Sequence, residues 1–174
     1  MFLRYSVRLA HRTTIYAPFV ATRRCYRVTQ QLQFSTSTCS MSSVTTHPSL
    51  SKVSTTNAPA AIGPYSQAIV SPPFVFVSGC LGFDPKTGAF VEGGIEAQAA
   101  QALQNLKGVV EASGSEVGKI VKTTVFLKNM DDFAAVNTIY AQFFGEHKPA
   151  RSLVEVARIP RDGLFEIEAI ASVA

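Results

Sequence analysis

The stretch IEAQAAQALQNLKGVVEASGSEVGKIVKTTVFLKN, Ile95–Asn129, decides the fold, because its hydrophobic period changes part-way along. Over Ile95–Ala112 the residues Ile95, Ala99, Ala102, Leu103, Leu106, Val109 and Val110 recur at helical spacing and fill one stripe. Glu96, Gln104, Lys107 and Glu111 lie opposite. Gly114 is the kind of residue that ends such a helix. Lys119–Asn129 is then rich in β-branched residues and reads as a strand. A second helix follows, capped by Asn129 or Asp131 and running to about Gly145. Its expected buried stripe is Phe133, Val136, Tyr140, Phe143 and Phe144.

Upstream, QAIVSPPFVFVSG, Gln67–Gly79, predicts a hairpin around Ser71-Pro72-Pro73. Alternation puts Phe74, Phe76 and Ser78 on one face of its second strand and Val75 and Val77 on the other. FDPKTGAFV, Phe83–Val91, holds a Pro-Lys-Thr-Gly turn between short extended segments. Downstream, RSLVEVARIPRDGLFEIEAIA, Arg151–Ala171, predicts a closing hairpin. The order β-β-α-β-α-β-β argues for an α+β sandwich, a mixed sheet with both helices packed on one face. The other face carries Phe74 and Phe76 and has no helix to cover it, so association with other copies is expected.

A chain of 174 residues is one domain, or one domain with an appendage. Its formal charge of +4 is unevenly spread: no Asp or Glu precedes Asp84, and the first fifty residues hold Arg4, Arg8, Arg12, Arg23, Arg24 and Arg27 without a Lys. Removing those six arginines leaves +4 − 6 = −2 for the remainder. Basicity therefore belongs to the leader, and nucleic acid is not an expected partner of the domain. The Arg-, Ser- and Thr-rich, acid-free leader has the composition of a mitochondrial transit peptide. On a helix Arg4, Arg8 and Arg12 share one face, away from Phe2, Leu3, Leu9 and Ala10. Residues 1–46 are read as transit peptide and polar linker, and residues 47–174 as the domain. The expected location is the mitochondrial matrix, and Met41 offers a start for a cytosolic form. A membrane span needs roughly 20 apolar residues in a row, and none occurs. Cys80 is the only cysteine in the domain, so no internal disulfide framework is expected. His147 has no clustered partner, which disfavours a zinc site, and it follows a helix end, which disfavours a Ser-His-Asp triad.

Several separated blocks resemble one family in order and spacing: NAPAAIGPYSQA, VSGCLGFDPKTG, VKTTVFLKNMDDFAAVN, KPARSLVEVARIP and EIEAIA. They are similar to the RidA (YjgF) family of reactive-intermediate imine deaminases, and the resemblance runs from about Lys52 to Val173. It implies a chorismate-mutase-like sandwich and a homotrimer with a site in each cleft between subunits. It also implies hydrolysis of short-lived 2-imino acids, the tautomers of enamines such as 2-aminoacrylate, to 2-oxo acids and ammonia. No cofactor or metal is implied. The corresponding enzyme is a 2-iminobutanoate/2-iminopropanoate deaminase, and its role is to limit metabolite damage. The competing expectation is a binding module that holds a 2-oxo acid or amino acid without turnover.

The site residues follow from the resemblance and suit the chemistry. Arg151, in PARS, matches the carboxylate-binding arginine; a guanidinium presents two parallel donors where a lysine presents a point charge. Hydrolysis needs a water and a base. Alternation alone leaves Glu166 and Glu168 equivalent, and the resemblance selects Glu166. Tyr65 is expected to wall the pocket, Ser78 and Gly79 to line the ligand, and Asn137 to reach the cleft from the second helix. Leu153 stands where the family commonly has the cysteine of PARSC, so a thiol cannot act there. Cys80 stands where Gln is usual and is expected to be a small buried hydrophobe.

Overall fold

The computed structural model describes residues 43–173, and a compact unit spans Ser43–Ala174. The leader readings lie outside the described residues. The elements in chain order are β1 (Ser51–Val53), β2 (Ala68–Ser71), β3 (Phe74–Leu81), α1 (Gly94–Ala112), β4 (Ile120–Leu127), α2 (Phe133–Phe144), β5 (Ala150–Glu155) and β6 (Phe165–Ser172). Strand β1 is not foreseen by the sequence pattern. It is three residues long and emerges from a Ser/Thr-rich stretch, too short for alternation to register.

The sheet is mixed, in the order β1-β2-β3-β6-β4-β5. Strands β2 and β3 form the expected hairpin, turning at Pro72-Pro73 through a cis peptide bond. The expected closing hairpin does not form. Strand β5 runs parallel to β4 at the sheet edge, whereas β6 inserts between β3 and β4, antiparallel to both. The reason lies in the connections. Residues 156–164 between β5 and β6 are too long for a tight turn, and the α2 crossover delivers β5 parallel to β4.

Both helices cover one face. Val75, Val77, Val125, Leu127, Phe165, Ile167 and Ala171 meet Leu103, Leu106, Val109 and Val110 of α1 in a single core. At about 25 cal/mol per Å², each large apolar side chain so buried contributes about 1.5–3 kcal/mol. Helix α1 matches the expected stripe and stops at Ser113, with Gly114 at φ 81°. Asn129 is the residue that caps the approach to α2: its side chain accepts a hydrogen bond from the Asp131 N–H at 3.0 Å. On α2, Val136, Tyr140 and Phe144 are buried, but Phe133 is exposed. The 3-10 turn at Met130–Asp132 starts the helix early, and its first residue lies beyond the core. The other face of the sheet is bare, with Phe74 and Phe76 exposed on it.

Candidate active site

Strand β6 buries Phe165, Ile167, Ala169 and Ala171 against the helices, so Glu166 and Glu168 project from the bare face. Glu168 is exposed, but the Glu166 carboxylate is partly buried and lies against Gly79 of β3. A Cβ built on Gly79 would overlap Oε1 of Glu166 and sit 2.9 Å from its Cδ. Glycine leaves room for the carboxylate, which occupies the space a side chain would take. The pairing of β3 with β6 shifts register between Val77 and Cys80, so Ser78 and Gly79 fall in the break. Burial raises the pKa of Glu166, and the like charge of Glu168 adds to it. The structure thus supplies an asymmetry between the two acids that alternation could not.

Ser78 and Gly79 line a cavity with Tyr65, Ala58, Pro59 and Ile62. The Ser78 hydroxyl donates to the Ser66 carbonyl at 2.7 Å, and its N–H donates to the Gln67 carbonyl at 3.0 Å. The hydroxyl's lone pairs remain available to a ligand. Tyr65 is 49% exposed, and its hydroxyl accepts from the Ile62 N–H at 3.4 Å.

Arg151 lies elsewhere. It sits on β5 opposite Thr123 of β4, which is buried on the helix side, where the Thr123 and Tyr140 hydroxyls are 2.8 Å apart. The Arg151 guanidinium lies 4.6 Å from the centroid of the Tyr140 ring, a cation–π contact. Burial raises the Tyr140 pKa; the Thr123 hydrogen bond and the Arg151 charge oppose this more weakly. Arg151 has no acidic partner among the described residues. It opens onto a cleft shared with Asn137, Tyr140, Ala141, His147 and Lys148. Leu153 is on the same face but leans on the core and does not line this cleft. His147 directs Nε2 at the Ile120 carbonyl, 2.8 Å away.

The predicted residues therefore form two groups. Tyr65, Ser78, Gly79 and Glu166 come together, as do Arg151 and Asn137, and Leu153 joins neither. Within one chain the Glu166 and Arg151 side chains leave opposite faces of the sheet. The remaining charges of the Arg151–Ala171 stretch have other tasks. Glu155 accepts from the Met130 N–H at 2.7 Å, Arg158 pairs with Asp162 at 2.7 and 3.0 Å, and Arg161 lies over Phe83.

The sequence reading passed over two buried amides near the first group. Asn105 of α1 donates to the Leu81 and Phe83 carbonyls, both at 2.8 Å, and pins the helix to the end of β3. It interrupts an apolar stripe just as Asn137 does, so the same signal was present. Gln67 is also buried, and nothing in its local pattern marks it. Cys80 is a buried free thiol whose pKa is pushed up to about 12, chiefly by burial and then by the Glu166 charge.

A family profile described as Endoribonuclease L-PSP matches residues 55–173. The chain belongs to that family. It is the RidA (YjgF) family whose motifs the sequence resembles. The 2-iminobutanoate/2-iminopropanoate deaminase of Salmonella typhimurium is 57% identical over 122 residues, covering 68% of this chain and 94% of that protein. The crystal structure of the YjgF gene product from E. coli is 51% identical with a TM-score of 0.68, covering 71% of this chain and 99% of that one. E. coli TdcF, crystallised with bound serine, is 44% identical with a TM-score of 0.69, covering 71% of this chain and 99% of that one.

Proposed function

We propose that this chain is an imine deaminase that hydrolyses small 2-imino acids, of the 2-aminoacrylate type, to 2-oxo acids and ammonia. The observation that carries the reading is the Arg151 guanidinium, held over Tyr140 with no acidic partner among the described residues and open to a cleft. Such a fork suits a small carboxylate, and a charge-assisted pair is worth about 1.5–3 kcal/mol. The deaminase named in Salmonella typhimurium supports the same reaction class.

The reaction needs little machinery. Arg151 fixes the substrate carboxylate and draws electron density from the adjacent C=N carbon. Glu166, as carboxylate, takes a proton from water while the water oxygen bonds to that carbon. That proton passes to the imine nitrogen to give the 2-amino-2-hydroxy acid, which collapses when its hydroxyl proton is relayed by the same carboxylate to nitrogen, the C–N bond breaks, and ammonia leaves a carbonyl behind. A base with a raised pKa suits both transfers, because it accepts the proton and also gives it back.

Arg151 and Glu166 lie on opposite sides of the sheet, so we place the complete site between copies. Glu166, Gly79, Ser78 and Tyr65 of one chain would face Arg151 and Asn137 of the next in a homotrimer. The exposed Phe74 and Phe76 support an apolar contact between copies. The test is complementation. Arg151→Ala and Glu166→Gln should each be inactive alone, and coexpressed at equal levels they should recover about one quarter of wild-type activity, the fraction of interfaces with both good halves in a cyclic assembly. If the mixture stays inactive while mass spectrometry shows mixed oligomers, the shared site is wrong.

The serine bound in E. coli TdcF favours one alternative, a module that binds amino or oxo acids without turnover. Ammonia release from imines generated by an amino-acid oxidase separates the two: binding of 2-oxobutanoate without acceleration would establish the module. The word endoribonuclease in the family description finds little support, since residues 51–174 carry a net charge of −2. The acid-free, Arg-rich leader supports import into the mitochondrial matrix.

A further inference from the structure

Gln67 is buried just ahead of β2 and makes no use of its side chain in the sheet. Its carboxamide reaches instead into the segment that precedes the Tyr65 turn. Nε2 lies 3.1 Å from the Thr55 carbonyl, 3.3 Å from that of Ala58 and 2.7 Å from that of Pro59. Oε1 accepts from the Thr55 N–H at 2.7 Å. Three carbonyls on one side and one N–H on the other leave a single sensible amide orientation. Residues 54–66 are in neither helix nor strand, and the Ser78 hydroxyl on the Ser66 carbonyl ties the far end of the segment to β3. Yet Ala58, Pro59, Ile62 and Tyr65 line the cavity beside Ser78 and Gly79. The Gln67 main-chain carbonyl completes the arrangement by accepting from the Ser78 N–H at 3.0 Å. One residue thus ties the loop wall of the cavity, through its side chain, to the strand wall, through its backbone.

We propose that Gln67 is a positioning residue: its carboxamide is spent on the 55–65 loop, which it holds so that Tyr65 stands at a fixed distance from Ser78, Gly79 and Glu166. This rests on the deaminase reading of the same cavity. A wall that wanders weakens ground-state binding, so the effect falls on KM. A residue of merely structural importance would instead lower the amount of folded enzyme, which reduces apparent kcat and leaves KM unchanged.

The test uses the full-length protein and Gln67→Met, which keeps the volume and removes every hydrogen bond of the amide. KM for an imine generated in place should rise about tenfold with kcat within about twofold. Amide hydrogen exchange over residues 55–65 should quicken while β3 and β6 stay protected. Tyr65→Ala should then add little in the Gln67→Met background, because the two act in one chain of contacts. Unchanged exchange over 55–65, or a loss confined to kcat, overturns the proposal. If Gln67→Met does not fold, Pro59→Gly loosens the same loop while keeping the residue 59 carbonyl to which the amide donates, and the same KM shift is required of it. If wild type binds 2-oxobutanoate but hydrolyses nothing, the deaminase reading has failed on its own, and the tenfold change is sought in the Kd of 2-oxobutanoate. An unchanged Kd then overturns the positioning role.

Discussion

Gly79→Ala separates the placement of a carboxylate from the stability of the fold. The new methyl would occupy the site of Oε1 of Glu166 and lie 2.9 Å from its Cδ and 3.2 Å from its Cγ. No backbone atom is among these contacts, and the Glu166 carboxylate end can rotate away over a bare sheet face. Gly79 has an ordinary backbone conformation, not a left-handed one. Relocating a flexible tip costs little, and removing a glycine from the unfolded chain returns about 0.4–1 kcal/mol. Thermal unfolding should therefore hold or rise by up to about 4 °C. Catalysis should respond in the opposite direction, since displacing the base by about 1 Å costs about 10²-fold in rate. Steady-state ammonia release and differential scanning calorimetry on one preparation measure both. The cycle with Glu166→Gln sharpens the result: once the carboxylate is neutralised, adding the methyl should cost little further activity. Wild-type kcat in Gly79→Ala would refute the requirement for Glu166 at this position. A fall in melting temperature as large as the fall in activity is severe would refute the claim that only the carboxylate moves.

Four further outcomes follow from the same geometry. Glu168→Gln removes the like charge that helps raise the Glu166 pKa, so the acid limb of the pH–rate profile should move to lower pH; an unmoved limb would mean that burial alone sets it. The sign for stability is the reverse of the usual carboxylate case. Because the folded pKa is raised, ionising Glu166 costs stability as pH rises from the unfolded value through the folded one, so Glu166→Gln should melt higher than wild type at pH 7 and no higher at pH 4. Arg151→Lys should keep less than about one tenth of wild-type affinity, because a point charge replaces a fork that grips both carboxylate oxygens, and titration with 2-oxobutanoate would show it. Cys80 is a protonated, buried thiol at neutral pH, so iodoacetamide should leave Cys80 unmodified in the native protein, as peptide mass mapping would show, and Cys80→Ala should retain full kcat.

The helices and the β2–β3 hairpin were legible in the sequence because each buries one face, and burial imposes a period. Ala99, Leu103, Leu106 and Val110 mark α1 without ambiguity, and Val75 and Val77 set the face of β3. The partnership of the last two strands was not legible. Alternation along Arg151–Ala171 fixes which way each side chain points, but not which strand lies beside which, and here β4 separates β5 from β6. The same limit governs the site. Motif spacing picked out Arg151 and Glu166, yet only the sheet register shows that they leave opposite sides of one chain. Gln67 stayed hidden because its partners are backbone carbonyls eight to twelve residues upstream, which leave no mark on residue type.

The position of β6 also constrains when the domain can form. The last of the described strands is not at the rim but in the middle, filling the gap between β3 and β4 and touching both along most of its length. A polypeptide still being synthesised lacks this keystone, and everything made before it amounts to two half-sheets with a slot between them. Cooperative folding must therefore wait until the segment near Phe165–Ser172 has emerged, and a chain cut just short of it would carry both open edges exposed, ready to pair with a stranger.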